Sequence, residues 1–248
     1  NFRVDFPSDT PWHGVEKINL NAQHPHIQLL GSALCQQAGL LVSRSRLVRV
    51  RLNGADSAVA GYPMYGTYAY NDVVSSDFAG FHNLGPVNIY RTVRTGSMEA
   101  DFAYLGEDPE PYRQVYFKET NAAENDWRDL IQLCQLLTET PEEEFVASVS
   151  ASLDVDNWLR FFAINTFFDN RESGLANGIG DDFIHFKDLY TNRHVLVPYD
   201  LDTILGRGDT AGSPTAGLFR AAEPAQASGH LTKPDQVARF LKHPAFVP

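Results

Sequence analysis

The chain has 248 residues, 43% of them hydrophobic and 21% charged, with 31 Asp+Glu against 20 Lys+Arg for a formal net charge of -11. This length and balance fit a folded chain with a sizeable core and exclude disordered or fibrous architectures. The acidic excess opposes binding to nucleic acid or anionic lipid, and the longest apolar stretch, Trp158 to Phe168, is interrupted by Arg160 and Asn165 and too short to insert across a bilayer.

In chain order, His24 to Ala38 carries Ile27, Leu30, Leu34 and Ala38 at helical spacing, with Pro25 at the start and Gly39 past the end, which predicts an amphipathic helix with those four residues inward. From Leu47, the residues Val48, Val50 and Leu52 alternate with Arg49 and Arg51 up to Asn53-Gly54, predicting a half-buried strand that runs into a turn. Gly61 to Tyr70, Asn88 to Val93 and Gln114 to Lys118 are rich in β-branched and aromatic residues and read as further strands.

Near Asn121 the pattern becomes helical. Trp127, Leu130, Ile131, Cys134 and Leu137 share one face, Thr140-Pro141-Glu142-Glu143 predicts a capped second helix, and Asp156 is expected to cap a third that ends near Asp169. After a Gly- and Asn-rich loop, Phe183 to Phe186 and Val195 to Val197 flank a turn at Leu189 to Arg193 and form a hairpin leading into Pro198-Tyr199-Asp200-Leu201-Asp202. Gly206 to Gly229 reads as an irregular loop. Cys35 and Cys134 lie in helical patterns without zinc-site spacing and read as buried thiols, one disulfide being the alternative. The chain opens on Asn1 with no signal-peptide pattern, as expected of a piece of a longer protein.

The chemistry concentrates in carboxylates. Asp169 ends the long helix, Asp181 and Asp182 open the hairpin, and Asp200 and Asp202 close it. Were the strand geometry to continue, Asp200 and Asp202 would share a face. Like charges that close repel unless a cation or proton lies between them, and hard oxygen donors suit magnesium, manganese or calcium. The alternative is that these aspartates are ordinary turn and cap residues. There is no Gly-x-x-x-x-Gly-Lys-Ser/Thr loop, no Gly-x-Ser-x-Gly elbow, and no third ligand to make a zinc site of His24 and His26.

Taken together, Asp169 after an apolar helix, Asp182-Phe183-Ile184-His185-Phe186, and Pro198-Tyr199-Asp200-Leu201-Asp202-Thr203-Ile204-Leu205-Gly206 resemble the spore coat protein H (CotH) kinase family. Gly66-Thr67-Tyr68 with Asp72 and Phe78, Ile89-Tyr90-Arg91 and Tyr116-Phe117-Lys118-Glu119-Thr120-Asn121 extend the likeness over about Trp12 to Gly208. The resemblance implies an α+β, atypical protein-kinase-like fold of two lobes in one domain over 1–248: a β-rich N-terminal lobe at 1–120 and a mainly helical C-terminal lobe at 121–248. It implies transfer of the terminal phosphoryl group of ATP to Ser/Thr hydroxyls of a protein substrate. It also implies a divalent ion, magnesium or manganese with calcium as a further candidate, and a secreted, cell-surface or spore-coat location.

Carried over residue by residue, Asp169 takes the catalytic position, Asp200 holds metal with Asp202 beside it, and Asp182 stands where the family commonly has a metal-binding Asn. Asn177, inside the insertion Arg171 to Asp181, is a weaker substitute for that Asn. Arg91, Lys118 and Asp72 take the nucleotide-binding positions, although the family commonly has Lys where Arg91 lies and Glu where Asp72 lies, and neither exchange is neutral. Those two departures support the rival reading, a non-catalytic scaffold of a spore-coat, envelope or extracellular assembly. A calcium-stabilised domain and a paired-carboxylate glycosidase account for fewer of the motifs.

Overall fold

The computed structural model describes residues 1–56, 66–95, 98–170, 172, 173, 175, 181–207 and 235–247. Among these, two four-stranded antiparallel sheets and a set of helices make a mixed α+β architecture. The first sheet comes from the start of the chain: β1 (Phe2–Asp5), β2 (Lys17–Asn21), β3 (Ser45–Arg49) and β6 (Thr67–Asp72), in the order β1-β2-β6-β3. Helix α1 (Pro25–Gln37) lies between β2 and β3 in sequence. β4 (Arg51–Leu52) and β5 (Ala55–Asp56) form a small hairpin around Asn53 and Gly54, whose φ of 51° and 83° meet the positive-φ demand of a tight hairpin turn. Of the expected strand Gly61 to Tyr70, the part from Thr67 is strand; 57–65 lie outside the described residues.

After α2 (Ser76–Phe81), the second sheet uses β7 (Val87–Thr92), β8 (Tyr116–Lys118), β9 (Phe183–Asp188) and β10 (His194–Pro198), in the order β10-β9-β7-β8. The expected hairpin of the second half is therefore built onto two strands of the first, and this sheet takes two strands from each side of residue 120. Its alternating side chains feed two cores, as a period of two requires. Tyr90, Phe183 and Leu196 face the large core with Trp158 and Phe161, whereas Ile89, Ile184 and Val197 face a smaller one with Phe78.

The helices α3 (Arg128–Glu139), α4 (Glu142–Ser152), α5 (Val155–Phe168) and α6 (Asp235–Lys242) pack on the large core. Here α5 covers the edge of β10: Asn157 exchanges hydrogen bonds with the Leu196 backbone, Nδ2 donating to O at 3.1 Å and Oδ1 accepting from N at 2.8 Å, and Trp158 Nε1 donates to His194 O. An otherwise open strand edge is thereby satisfied. Cys35 and Cys134 are buried free thiols, as expected, and burial pushes Cys35 up to about 12.

Three local expectations change. On α1 the most buried residues are Gln28, Gly31, Ser32 and Cys35, with Ile27 and Leu34 packed beside them on the large core, while Leu30 is 42% exposed. The cap expected at Thr140 does not form, since α4 begins after Pro141 with no side-chain cap. The cap of α5 is Asp154, whose Oδ1 accepts from Asn157 N at 3.1 Å; Asp156 sits in the first turn and pairs with Arg160 four residues on.

Candidate functional site

The site is built where the end of β10 crosses α1. Asp200 adopts a left-handed backbone, φ 47°, and opens a single 3-10 turn, Leu201–Thr203, so the extended geometry expected to align Asp200 with Asp202 does not continue. The two carboxylates are nonetheless joined through β2: Asn21 Nδ2 donates to Asp200 Oδ1 at 3.2 Å and to Asp202 Oδ2 at 2.7 Å. The turn seats closely on α1 because Gly31 has no side chain; a Cβ there would lie 2.8 Å from both Leu201 Cβ and Ile204 Cδ1.

Glu172 joins the remaining pieces. Its backbone oxygen accepts from Asp182 N at 2.9 Å, and its carboxylate accepts from Thr203 Oγ1 at 2.7 Å. It is itself placed by Asn170, fully buried, whose Oδ1 accepts from Glu172 N and whose Nδ2 donates to Asn165. Asp169 caps α5 in a left-handed conformation, half-buried, and the preceding carbonyl, that of Phe168, accepts from Leu205 N at 2.9 Å. The end of the long helix is thus tied to the segment just past Asp202.

Asp182 is buried, and one of its oxygens, Oδ2, has no hydrogen-bond partner. Burial, followed by the charges of Asp200, Glu172 and Asp181 and by a hydrogen bond shared with the Glu172 carboxyl, pushes this carboxyl well above the usual carboxylate range. A proton or a cation relieves that crowding. Among the described residues no three His, Cys, Asp or Glu side chains form a metal-holding group. A magnesium-type ion is commonly held by one or two carboxylates and by substrate phosphates; Asp200 and Asp182, whose carboxylates lie near enough for the charge of Asp200 to raise the proton affinity of Asp182, fit that mode. Asn177 lies outside the described residues.

The expected nucleotide residues divide. Arg91 lies on the side of β7 that faces Tyr199, and its guanidinium is in a half-exposed ion pair with Glu119 at 2.9 Å. Tyr199 senses both groups: burial and then Asp200 push its hydroxyl up to about 12, with Arg91 opposing. Lys118 pairs opposite Tyr90 and so occupies the other face of the sheet, where Nζ donates to Tyr90 OH at 2.9 Å and to the Asp126 carbonyl. It is not grouped with Arg91. Asp72, opposite Ile18, shares the Tyr70 face of the first sheet, binds Arg44 Nε at 2.5 Å and lines an outer cavity of about 610 Å³. Asn71 points the other way, toward Asp200, into a cavity of about 260 Å³ that Asp72 does not line.

Sequence reasoning missed Asn21, Gly31, Glu172 and Tyr199. For Gly31-Ser32 inside a helix the signal was present: small residues there mark close approach of another backbone. For Glu172 and Asn21 there was none, because each acts through partners distant in the chain.

Comparison with known proteins adds that the family described as CotH kinase protein matches residues 1–247. The chain belongs to the CotH kinase protein family. A curated CotH relative, the inner spore coat protein H of Bacillus subtilis (strain 168), is 23% identical over 219 residues, 84% of this chain and 55% of the relative. The chain spans about half the length of that curated relative.

Proposed function

We propose that this CotH-family chain is a two-lobed, atypical protein-kinase-like phosphotransferase, which moves the terminal phosphoryl group of ATP to Ser/Thr hydroxyls of a protein and works in association with a spore coat. The observation that carries the reading is the pair Asp200 and Asp202 bridged by Asn21, with the buried Asp182 close enough to Asp200 to feel its charge. Asp200 and Asp182 would hold a magnesium or manganese ion, which when bound neutralises phosphate charge. Asn21 and Glu172 keep that turn in place, Arg91 offers a guanidinium to phosphate oxygens on the Tyr199 side, and Asp169 orients the attacking hydroxyl.

A specific observation favours the scaffold reading as well. Arg91 is paired with Glu119, Lys118 is turned to Tyr90, and Asp72 is held by Arg44 on the outer face. The deciding experiment incubates purified protein with γ-labelled ATP and magnesium or manganese, with Asp200→Ala as control. Metal-dependent label on protein that disappears in the variant supports the enzyme; no transfer from wild type with either metal supports the scaffold.

A further inference from the structure

The cavity beside Asp200 is walled in part by Asn19, Asn21 and Asn71 from the inner face of the first sheet, by Gln28 from α1, and by Tyr199 and Asp200 from the end of the hairpin, with Asn1 and Arg3 also lining it. Neutral amides recur in this wall. Gln28 is 3% exposed, its Nε2 donates to Ser32 Oγ at 3.3 Å, and its Oε1 has no hydrogen-bond partner. A buried acceptor left open destabilises the fold unless something else satisfies it. Two of the other amides are used by the fold: Asn21 holds Asp200 and Asp202, and Asn71 Oδ1 accepts from Ser45 Oγ at 2.5 Å. Gln28 Oε1 is a buried acceptor in this wall that no group of the fold satisfies.

We infer that Gln28 is a specificity-determining residue: its Oε1 accepts a hydrogen bond from an N–H or O–H donor on the nucleoside part of a nucleotide whose phosphates lie toward Asp200. This rests on the nucleotide-binding reading above and adds to it the residue that selects the nucleotide. At about 260 Å³ the cavity is smaller than the 300–1,000 Å³ usual for whole drug-sized ligands, which suits a base or a sugar with the phosphates outside. The donor can come from either source, the exocyclic amine of adenine or a ribose hydroxyl. A site built around such a bond discriminates strongly against an analogue lacking the donor, because the buried acceptor is then left unpaired.

Calorimetric titration of the intact chain in magnesium or manganese, with ATP, inosine triphosphate, 2′-deoxy-ATP and 3′-deoxy-ATP, tests this without altering the protein. One analogue should bind at least tenfold more weakly than ATP: inosine triphosphate if the amine is the donor, a deoxy analogue if a hydroxyl is. In Gln28→Met that difference should vanish through loss of ATP affinity, and Gln28→Glu, which keeps an acceptor, should retain part of it. Equal binding of all four nucleotides to wild type, or an undiminished preference in Gln28→Met, overturns the role of Gln28 while leaving nucleotide binding intact. Failure of wild type to bind any of them overturns both.

Discussion

Acidification should unfold this protein through a pair of buried histidines, and the effect is large enough to measure directly. His185 is fully buried, stacked between Tyr90 and His194 at ring separations of 5.6 and 5.0 Å, with Phe102 edge-on. Its Nε2 lies 2.8 Å from His194 Nδ1, and His194 Nε2 lies 3.2 Å from Lys187 Nζ. Burial pulls His185 down to about 3, against Asp129, which favours the charged ring; burial, His185 and Lys187 pull His194 well below its ordinary value. Both rings are neutral in the fold, whereas in the unfolded chain each takes a proton near pH 6.5. The contribution is therefore fully present above about pH 6.5 and is lost as pH falls toward the folded values. Each histidine removes a little over ~1 kcal/mol per pH unit, so the pair removes roughly 5 kcal/mol between pH 6.5 and 4.5. That is comparable to the whole stability of many domains, about 5–15 kcal/mol. Asp182, raised in the fold, acts in the opposite direction and is common to all variants compared. Urea unfolding followed by tryptophan fluorescence from pH 7.5 to 4.5 should show wild type losing stability about 2 kcal/mol per pH unit faster than the double variant His185→Phe/His194→Leu, which removes both titrating groups. The single variant His185→Phe should fall between. Parallel curves for wild type and variants would refute the argument.

Three more outcomes are expected. Adding magnesium or manganese with ATP should stabilise wild type by about 2.7 kcal/mol at a hundredfold excess of ligand over Kd, and Asp200→Asn should lose most of that shift in a thermal melt; equal shifts in both proteins would remove Asp200 from the site. Gly31→Ala should cost about 1–3 kcal/mol by overpacking, because the added methyl meets Leu201 and Ile204, and should weaken metal-nucleotide binding by moving the turn; an unchanged melting temperature would show that α1 and the turn are not in close contact. Arg91→Ala should change stability by at most about 1 kcal/mol, its ion pair with Glu119 being half-exposed, yet lower ATP affinity, with Arg91→Lys keeping part of it; titration with unaltered affinity in Arg91→Ala would exclude a phosphate role.

Much of the local structure was legible in the chain. Helix α3, the end of α5 at Asp169 and the β9–β10 hairpin follow from apolar periodicity and turn residues, because those signals act over a few residues. The motif around Asp200 pointed to the right turn, although the turn coils where a strand was expected. What periodicity does not contain is which partner an element meets. Spacing marked an apolar stripe on α1, but the crossing of the Leu201–Thr203 turn favoured the face where Gly31 allows close contact, leaving Leu30 outside. Strand β7 carries no local mark that one of its partners is β9, almost a hundred residues later, while its register with β8 sets Arg91 on one face and Lys118 on the other. In the same way a single step along β6 sends Asn71 toward Asp200 and Asp72 toward Arg44. The chain itself specified the residue types able to hold a cation and a phosphate. Only the packing of α1 and the two sheets decided which of them meet, because side chains alternate about a strand and each face acquires its role from whatever is brought against it.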